Sequence, residues 1–110
     1  MVEAQIFSGR QALHAPHLID VEVAQVLRRY VRERAVSETR AQEALQNLLD
    51  LRMLRHRHAS LLYRAWELRH PLTAYDAVYI ALAEALDAPL LTCDAKIAAA
   101  PGHHAMVALV

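Results

Sequence analysis

The stretch from Leu72 to Asp94, LTAYDAVYIALAEALDAPLLTCD, carries two aspartates at the starts of two elements. Thr73 opens an apolar helical run in which Ala74, Val78, Ala81, Leu82 and Ala85 share a face, and Pro89 to Cys93 reads as a short buried strand that stops at Asp94. In an open α/β sheet, ligands bind beyond the carboxyl ends of the strands, so an acid directly after an apolar strand stands where chemistry is usually found. Asp76, near the helix start, can turn its carboxylate towards the same crevice. Two converging carboxylates suit a hard divalent cation.

Each acid has a structural reading beside the chemical one. Thr73-x-x-Asp76 is also a capping box, in which the acid hydrogen-bonds back to the helix start. Asp94 also fits the N-cap of the Ala-rich helix that follows it. The sequence does not choose between the readings.

The elements that must position these acids follow from periodicity. Val2, Ile6 and Phe7 form an apolar pattern that reads as the tail of a helix ending at Gly9. Ala12 to Ala15 is a short strand closed by Pro16. Ile19, Val23, Val26, Leu27, Tyr30 and Val31 then make an amphipathic helical stripe. Its flanks hold Arg28, Arg29, Arg32 and Arg34, and its first turns hold Asp20 and Glu22, either of which could be a third acid. Ser37 caps a second helix with Ala41, Ala44, Leu45 and Leu48 on its buried face. Met53 to Arg57 is a strand, and Ser60 caps a helix through Leu61, Leu62, Ala65 and Trp66 that His70 and Pro71 stop. Ala95 to Ala100 is a short helix, and Met106 to Val110 a last strand. Strands alternating with helices argue for an α/β fold with a parallel sheet, in one domain spanning residues 1–110.

Composition narrows the classes. A content of 55% hydrophobic and 22% charged residues is globular, and the apolar run Ala77 to Ala83 is far short of a membrane span. The first residues have no basic head and long apolar middle, so a cytoplasmic location is expected. Cys93 is the one cysteine, which excludes an internal disulfide; beside a buried strand it reads as a small apolar side chain rather than a nucleophile. Formal net charge is zero, although the basic residues are eleven Arg to one Lys, and the Arg fork suits phosphate. Seven histidines include the close pairs His14 and His17, His56 and His58, and His103 and His104, but no zinc spacing is present. With Gly9 and Gly102 the only glycines, a phosphate-cradling loop is excluded.

Three motifs, HAPHLIDVEVAQVLRR, LTAYDAVYIALAEAL and APLLTCDAKIA, in this order and spacing, closely resemble bacterial PIN-domain ribonucleases of the VapC toxin type. The resemblance runs from about Val2 to the C-terminus. It implies a PIN-like α/β/α sandwich around a parallel sheet and a cluster of four acids binding one or two Mg²⁺ or Mn²⁺ ions. Matched by motif, Glu22 is the second acid, Asp76 the third and Asp94 the fourth, which prefers Glu22 to Asp20. Thr92 matches the hydroxyl residue that accompanies the fourth acid. The family begins with an apolar strand ending in Asp; this sequence shows neither, so the fold is expected to be N-terminally incomplete, with its central strand and first acid missing.

The resemblance implies a metal-dependent endoribonuclease in which Glu22, Asp76 and Asp94 are catalytic metal ligands. Arg28, Arg29 and Arg32 are candidates to hold the RNA backbone, although a solvated helix face explains them too. A VapB-like antitoxin is the implied partner and a homodimer the implied assembly. Loss of the central strand is expected to leave Leu13, Ile80 and Leu90 exposed. The missing acid keeps a second reading open, an inactive module that binds an antitoxin or RNA; a phosphatase using the same acids is a third.

Overall fold

The computed structural model describes residues 4–7 and 12–110. Strand β1 (Ala4–Phe7) and strand β2 (Leu13–Pro16) are followed by helices α1 (Leu18–Arg32) and α2 (Glu38–Asp50) and by strand β3 (Met53–His56). A 3₁₀ turn at Ala59–Leu61 leads into α3 (Leu62–Glu67), then α4 (Ala74–Leu86), β4 (Leu90–Thr92), α5 (Ala95–Ala99) and β5 (Val107–Leu109). The strands form one sheet in the order β3-β2-β1-β4-β5.

β2 and β3 pair in parallel, with His14 opposite Leu54 and Pro16 opposite His56, and β4 and β5 pair in parallel, with Leu90 opposite Val107. β1 is antiparallel to both neighbours, Ile6 lying opposite His14 on one side and Leu90 on the other. Since β2 and β4 both oppose β1, they point the same way. The carboxyl ends of β2, β3, β4 and β5 therefore lie along one edge.

This arrangement corrects two expectations about the N-terminal stretch. Ala4–Phe7 is a strand and not the tail of a helix, and Gly9, where that helix was to end, lies outside the described residues. A slot between two strands satisfies the backbone groups of this segment on both sides. The central position expected to be open is thus held by β1. Ile80 and Leu90, expected to be exposed, have no accessible surface, and Leu13 is half-buried.

The core is organised on α4. Thr73 is its N-cap, in extended conformation with Oγ1 accepting from the Asp76 N–H at 3.2 Å. It ends at Asp87, which adopts the left-handed conformation (φ 49°), and the next N–H, of Ala88, reaches back to the Ala83 carbonyl at 3.1 Å. Between these ends the helix lies against β1, β2 and β4 on one side and α3 on the other. Every residue from Ala77 to Ala83 is consequently buried, not one face alone, while Ala74 and Ala85 of the expected face are exposed. Leu61, Ala65, Leu68, Leu72 and Ile97 complete the cluster around Ile80 and Leu90.

Other boundaries shift for local reasons. Ser37 caps α2 as expected, accepting from the Arg40 N–H at 3.1 Å, but Ala44 is exposed and only Ala41 of its apolar face is buried. On α1 only Ile19 is buried, and Val23, Val26, Leu27, Tyr30 and Val31 are half-covered, because among the described residues α1 packs mainly on α2 and β2. Ser60 falls inside the 3₁₀ turn and caps nothing; α3 starts at Leu62 without a side-chain cap. Cys93 is exposed, contrary to its expected burial: strand alternation turns Thr92 inwards and the next residue outwards.

Candidate functional site

The topology brings the three acids to one edge. α1 starts directly after β2, so Glu22, in its second turn, stays close to the carboxyl end of that strand. α4 runs into β4 through a short turn, so its first turn, with Asp76, lies at the end of the sheet where β4 finishes. Asp94 follows β4 by two residues. All three carboxylates are half-buried.

Burial and neighbouring charge both appear in the proton affinities of Asp76 and Glu22. Burial pushes the Asp76 carboxyl above its ordinary range; the Thr73 side chain works against this and the Asp94 charge adds to it. Burial likewise raises Glu22, with the Tyr79 hydroxyl opposing and the Asp76 charge reinforcing the rise. Asp76 is thus the middle member, in electrostatic reach of both others. Among the described residues no salt bridge neutralises any of the three.

Each acid is held by a neighbour. Tyr79, buried on α4, donates its phenolic O–H to Glu22 Oε1 at 2.7 Å. Asp94 does act as the N-cap of α5, its Oδ1 accepting from the Lys96 N–H at 2.8 Å. Thr92 is buried and its Oγ1 accepts from the Asp94 N–H at 3.0 Å, which fixes the turn that presents the aspartate. The structural reading is therefore realised at Asp94, and for Thr73-x-x-Asp76 only in its first half: Thr73 caps the Asp76 N–H, and among the described residues no backbone N–H at the helix start bonds back to the Asp76 carboxylate. Capping one backbone N–H leaves the remaining carboxylate lone pairs open, so capping and ligation do not exclude each other.

Asp20 has a different occupation. Its carboxylate is held by the Arg55 Nε–H at 2.8 and 2.9 Å, and the same guanidinium donates through Nη2 to the Leu48 carbonyl at 3.1 Å. Asp20, which periodicity could not tell from Glu22, is thus engaged by a cation, and among the described residues Glu22 is not. The Asp20–Arg55 pair ties α1 to β3 and to the end of α2.

Arg28, Arg29 and Arg32 are exposed on α1 and border a shallow surface with Gln25 and Glu33. At 1.5 Å of rise per residue, Arg28 and Arg32 stand about 9 and 15 Å along the axis from Glu22. Arg29, seven residues on, shares its face. The guanidinium of Arg29 lies 5.7 Å from the Tyr30 ring centroid.

The histidine pairs adjacent in sequence do not form sites. A different pair does meet: His14 Nδ1 and His56 Nε2 are 2.8 Å apart on neighbouring strands. Among the described residues no three His, Cys, Asp or Glu side chains stand close enough to form a metal-holding group, the three acids included. Tyr79 and Arg55 are the residues that sequence reasoning missed. Tyr79 carried a signal, being a polar tip within an otherwise apolar helical run, one turn after Asp76.

A half-buried set of carboxylates along one edge of a mixed sheet, where four of the five strands end, defines a class, the α/β proteins with an acidic strand-end cluster. The chain belongs to the PIN-domain family, whose profile matches residues 1–102. It is 49% identical over 98 residues to Ribonuclease VapC1 of Mycobacterium tuberculosis strain H37Rv, an alignment covering 88% of this chain and 74% of that protein. Ribonuclease VapC9 of the same strain is 39% identical over 95 residues, covering 86% and 75%. Ribonuclease VapC12 is 37% identical over 100 residues, covering 91% and 78%.

Proposed function

We propose that the chain is an endoribonuclease toxin of the VapC type, hydrolysing RNA phosphodiester bonds with Glu22, Asp76 and Asp94 as its catalytic acids. One observation carries the reading: three carboxylates from three elements share one edge of the sheet, and among the described residues none is paired with a cation. Kinship with proteins named ribonucleases favours this over an inactive binding module.

The donor set fits a hard divalent ion, Mg²⁺ or Mn²⁺. All three groups are carboxylates, and burial, reinforced by neighbouring charge, disfavours the ionised forms of Glu22 and Asp76 unless a positive charge joins them. Mg²⁺ characteristically binds through one or two carboxylates, completing its shell with water and substrate phosphate, so a closed three-residue cage is not required. Asp76, the middle member, would be the principal ligand, with Glu22 and Asp94 direct or through water. Such an ion would supply Lewis acidity at the scissile phosphate and offset charge developing on the leaving oxygen.

The chain's own residues do the positioning. Thr92 fixes the backbone that presents Asp94, and Thr73 does so for Asp76. Arg28, Arg29 and Arg32 would hold the RNA backbone by charge and planar hydrogen bonding without reading bases. A VapB-like antitoxin as partner, assembly as a homodimer and a cytoplasmic location complete the proposal, each resting on the family. Among the described residues no helix is long and apolar enough to cross a membrane.

The test is cleavage of structured RNA with Mn²⁺, with Mg²⁺ and with EDTA, beside Asp76→Asn and Asp94→Asn. EDTA and both substitutions should abolish cleavage. Cleavage indifferent to all three would sink the proposal.

A further inference from the structure

We infer that Tyr79 is a positioning residue of the acidic site, acting through Glu22 on the other two acids and on any cation they hold. The inference rests on the reading of Glu22 as a site acid and extends it to a residue outside the acidic set.

The packing at Tyr79 does not call for a hydroxyl. The side chain is 3% exposed within a run where every neighbour from Ala77 to Ala83 is apolar, and Phe would fill the same volume. A phenol placed there must have its O–H paired, and the partner it reaches is Glu22 Oε1 at 2.7 Å, on a helix 57 residues away in sequence. The bond uses the one proton the phenol has, so the direction is fixed: Tyr79 donates and Glu22 accepts.

The effect on Glu22 follows from its freedom without that bond. A glutamate on a half-covered helix face samples many rotamers, and selecting one costs conformational entropy. Tyr79 selects one in advance by engaging Oε1, which leaves Oε2 free for a ligand. Because Tyr79 stands one turn after Asp76 on α4, the same helix presents Asp76 directly and Glu22 through the phenol. The relative placement of two acids from different elements is thereby set by one turn of helix.

The experiment compares Tyr79→Phe, Glu22→Gln, the double variant and Asp76→Asn with the parent chain. Mn²⁺ affinity is followed by the electron paramagnetic resonance signal of the free ion, without RNA. RNA cleavage gives kcat and KM, and melting in EDTA reports the fold. Tyr79→Phe is expected to weaken Mn²⁺ binding and kcat by roughly tenfold to a hundredfold, the range seen when partners behind metal ligands are removed. KM for RNA and the melting temperature in EDTA should stay close to the parent. In the Glu22→Gln background, Tyr79→Phe should add nothing.

Unchanged Mn²⁺ affinity and kcat in Tyr79→Phe overturn the inference, as does an equal loss in the Glu22→Gln background. If Glu22→Gln and Asp76→Asn abolish binding while Tyr79→Phe is silent, only the role of Tyr79 fails. If the parent binds no Mn²⁺, or both acid variants bind it like the parent, the acidic-site reading falls and this inference with it.

Discussion

Arg55 holds Asp20 through a single Nε–H placed 2.8 Å from one carboxylate oxygen and 2.9 Å from the other, while Glu22, two residues on, accepts from Tyr79 instead. On the proposed reading, the two acids of α1 divide between structure and chemistry. Asp20→Ala removes a partly buried charged hydrogen bond and is expected to cost about 1.5–3 kcal/mol of stability. Cleavage per folded molecule should stay at the parent level. Thermal melting together with kcat at a temperature below both transitions checks this; loss of kcat in Asp20→Ala equal to that in Glu22→Gln would contradict the division.

Asp76 should trade stability for activity. Folding raises its pKa above the ordinary 3.8, so the folded chain binds that proton more tightly than the unfolded chain. The stabilisation from protonation is present below 3.8 and is lost as pH rises through the folded value, leaving a penalty at neutral pH. Asp76→Asn should therefore melt higher than the parent at pH 7 in EDTA, with the difference shrinking as pH falls towards 3.8. The same variant should lose more than about tenfold in cleavage, since even partners behind metal ligands cost about tenfold to a hundredfold.

Glu84 and Arg64 behave in the opposite sense. The guanidinium grips the buried Glu84 carboxylate with two hydrogen bonds of 2.7 and 2.9 Å and donates to the Gly102 carbonyl at 3.1 Å. Arg64, followed by the His104 backbone N–H, holds the Glu84 carboxyl below its ordinary 4.5, against the effect of burial. That stability is present above 4.5 and is lost as pH falls through the lower folded value. Arg64→Ala leaves a buried carboxylate without its guanidinium and with only His104 beside it, and is expected to cost up to about 3–5 kcal/mol. Denaturant titration at pH 7 measures the loss, and the deficit should narrow in acid.

Asp87 ends α4 in the left-handed region, with φ 49° and ψ 46°. Asp tolerates this better than most residues, Gly adopts it without strain, and a β-branched residue does not. Asp87→Gly should be neutral or stabilising by about 0.5 kcal/mol, because relief of strain is partly offset by greater freedom of the unfolded chain. Asp87→Val should cost more than about 1 kcal/mol. Equal melting temperatures for the two variants would count against this cap.

Much of the site could be read from the chain before any coordinates. The Thr73 cap and the apolar run after it, the strand into Asp94 and the Ser37 cap are local: each depends on residues within a turn of one another, and each appears in the structure. Cys93 and Ser60 were misjudged because exposure and helix onset depend on what packs nearby. The His14–His56 contact was equally out of reach, since strand pairing alone places residues 42 apart within 2.8 Å.

By itself, the sequence determined the order of most elements, the caps that start α2 and α4, and the carboxylates at element starts that its motifs single out. These follow from side-chain chemistry acting over three or four residues. Tertiary structure decided what distance along the chain conceals. It assigned Asp20 to Arg55 and Glu22 to Tyr79, buried the middle of α4 from Ala77 to Ala83 on all sides, and set Ala4–Phe7 antiparallel at the centre of the sheet. The reason is physical: a capping residue carries its partner within its own turn, whereas a partner supplied by another strand or helix exists only once the chain has folded back on itself.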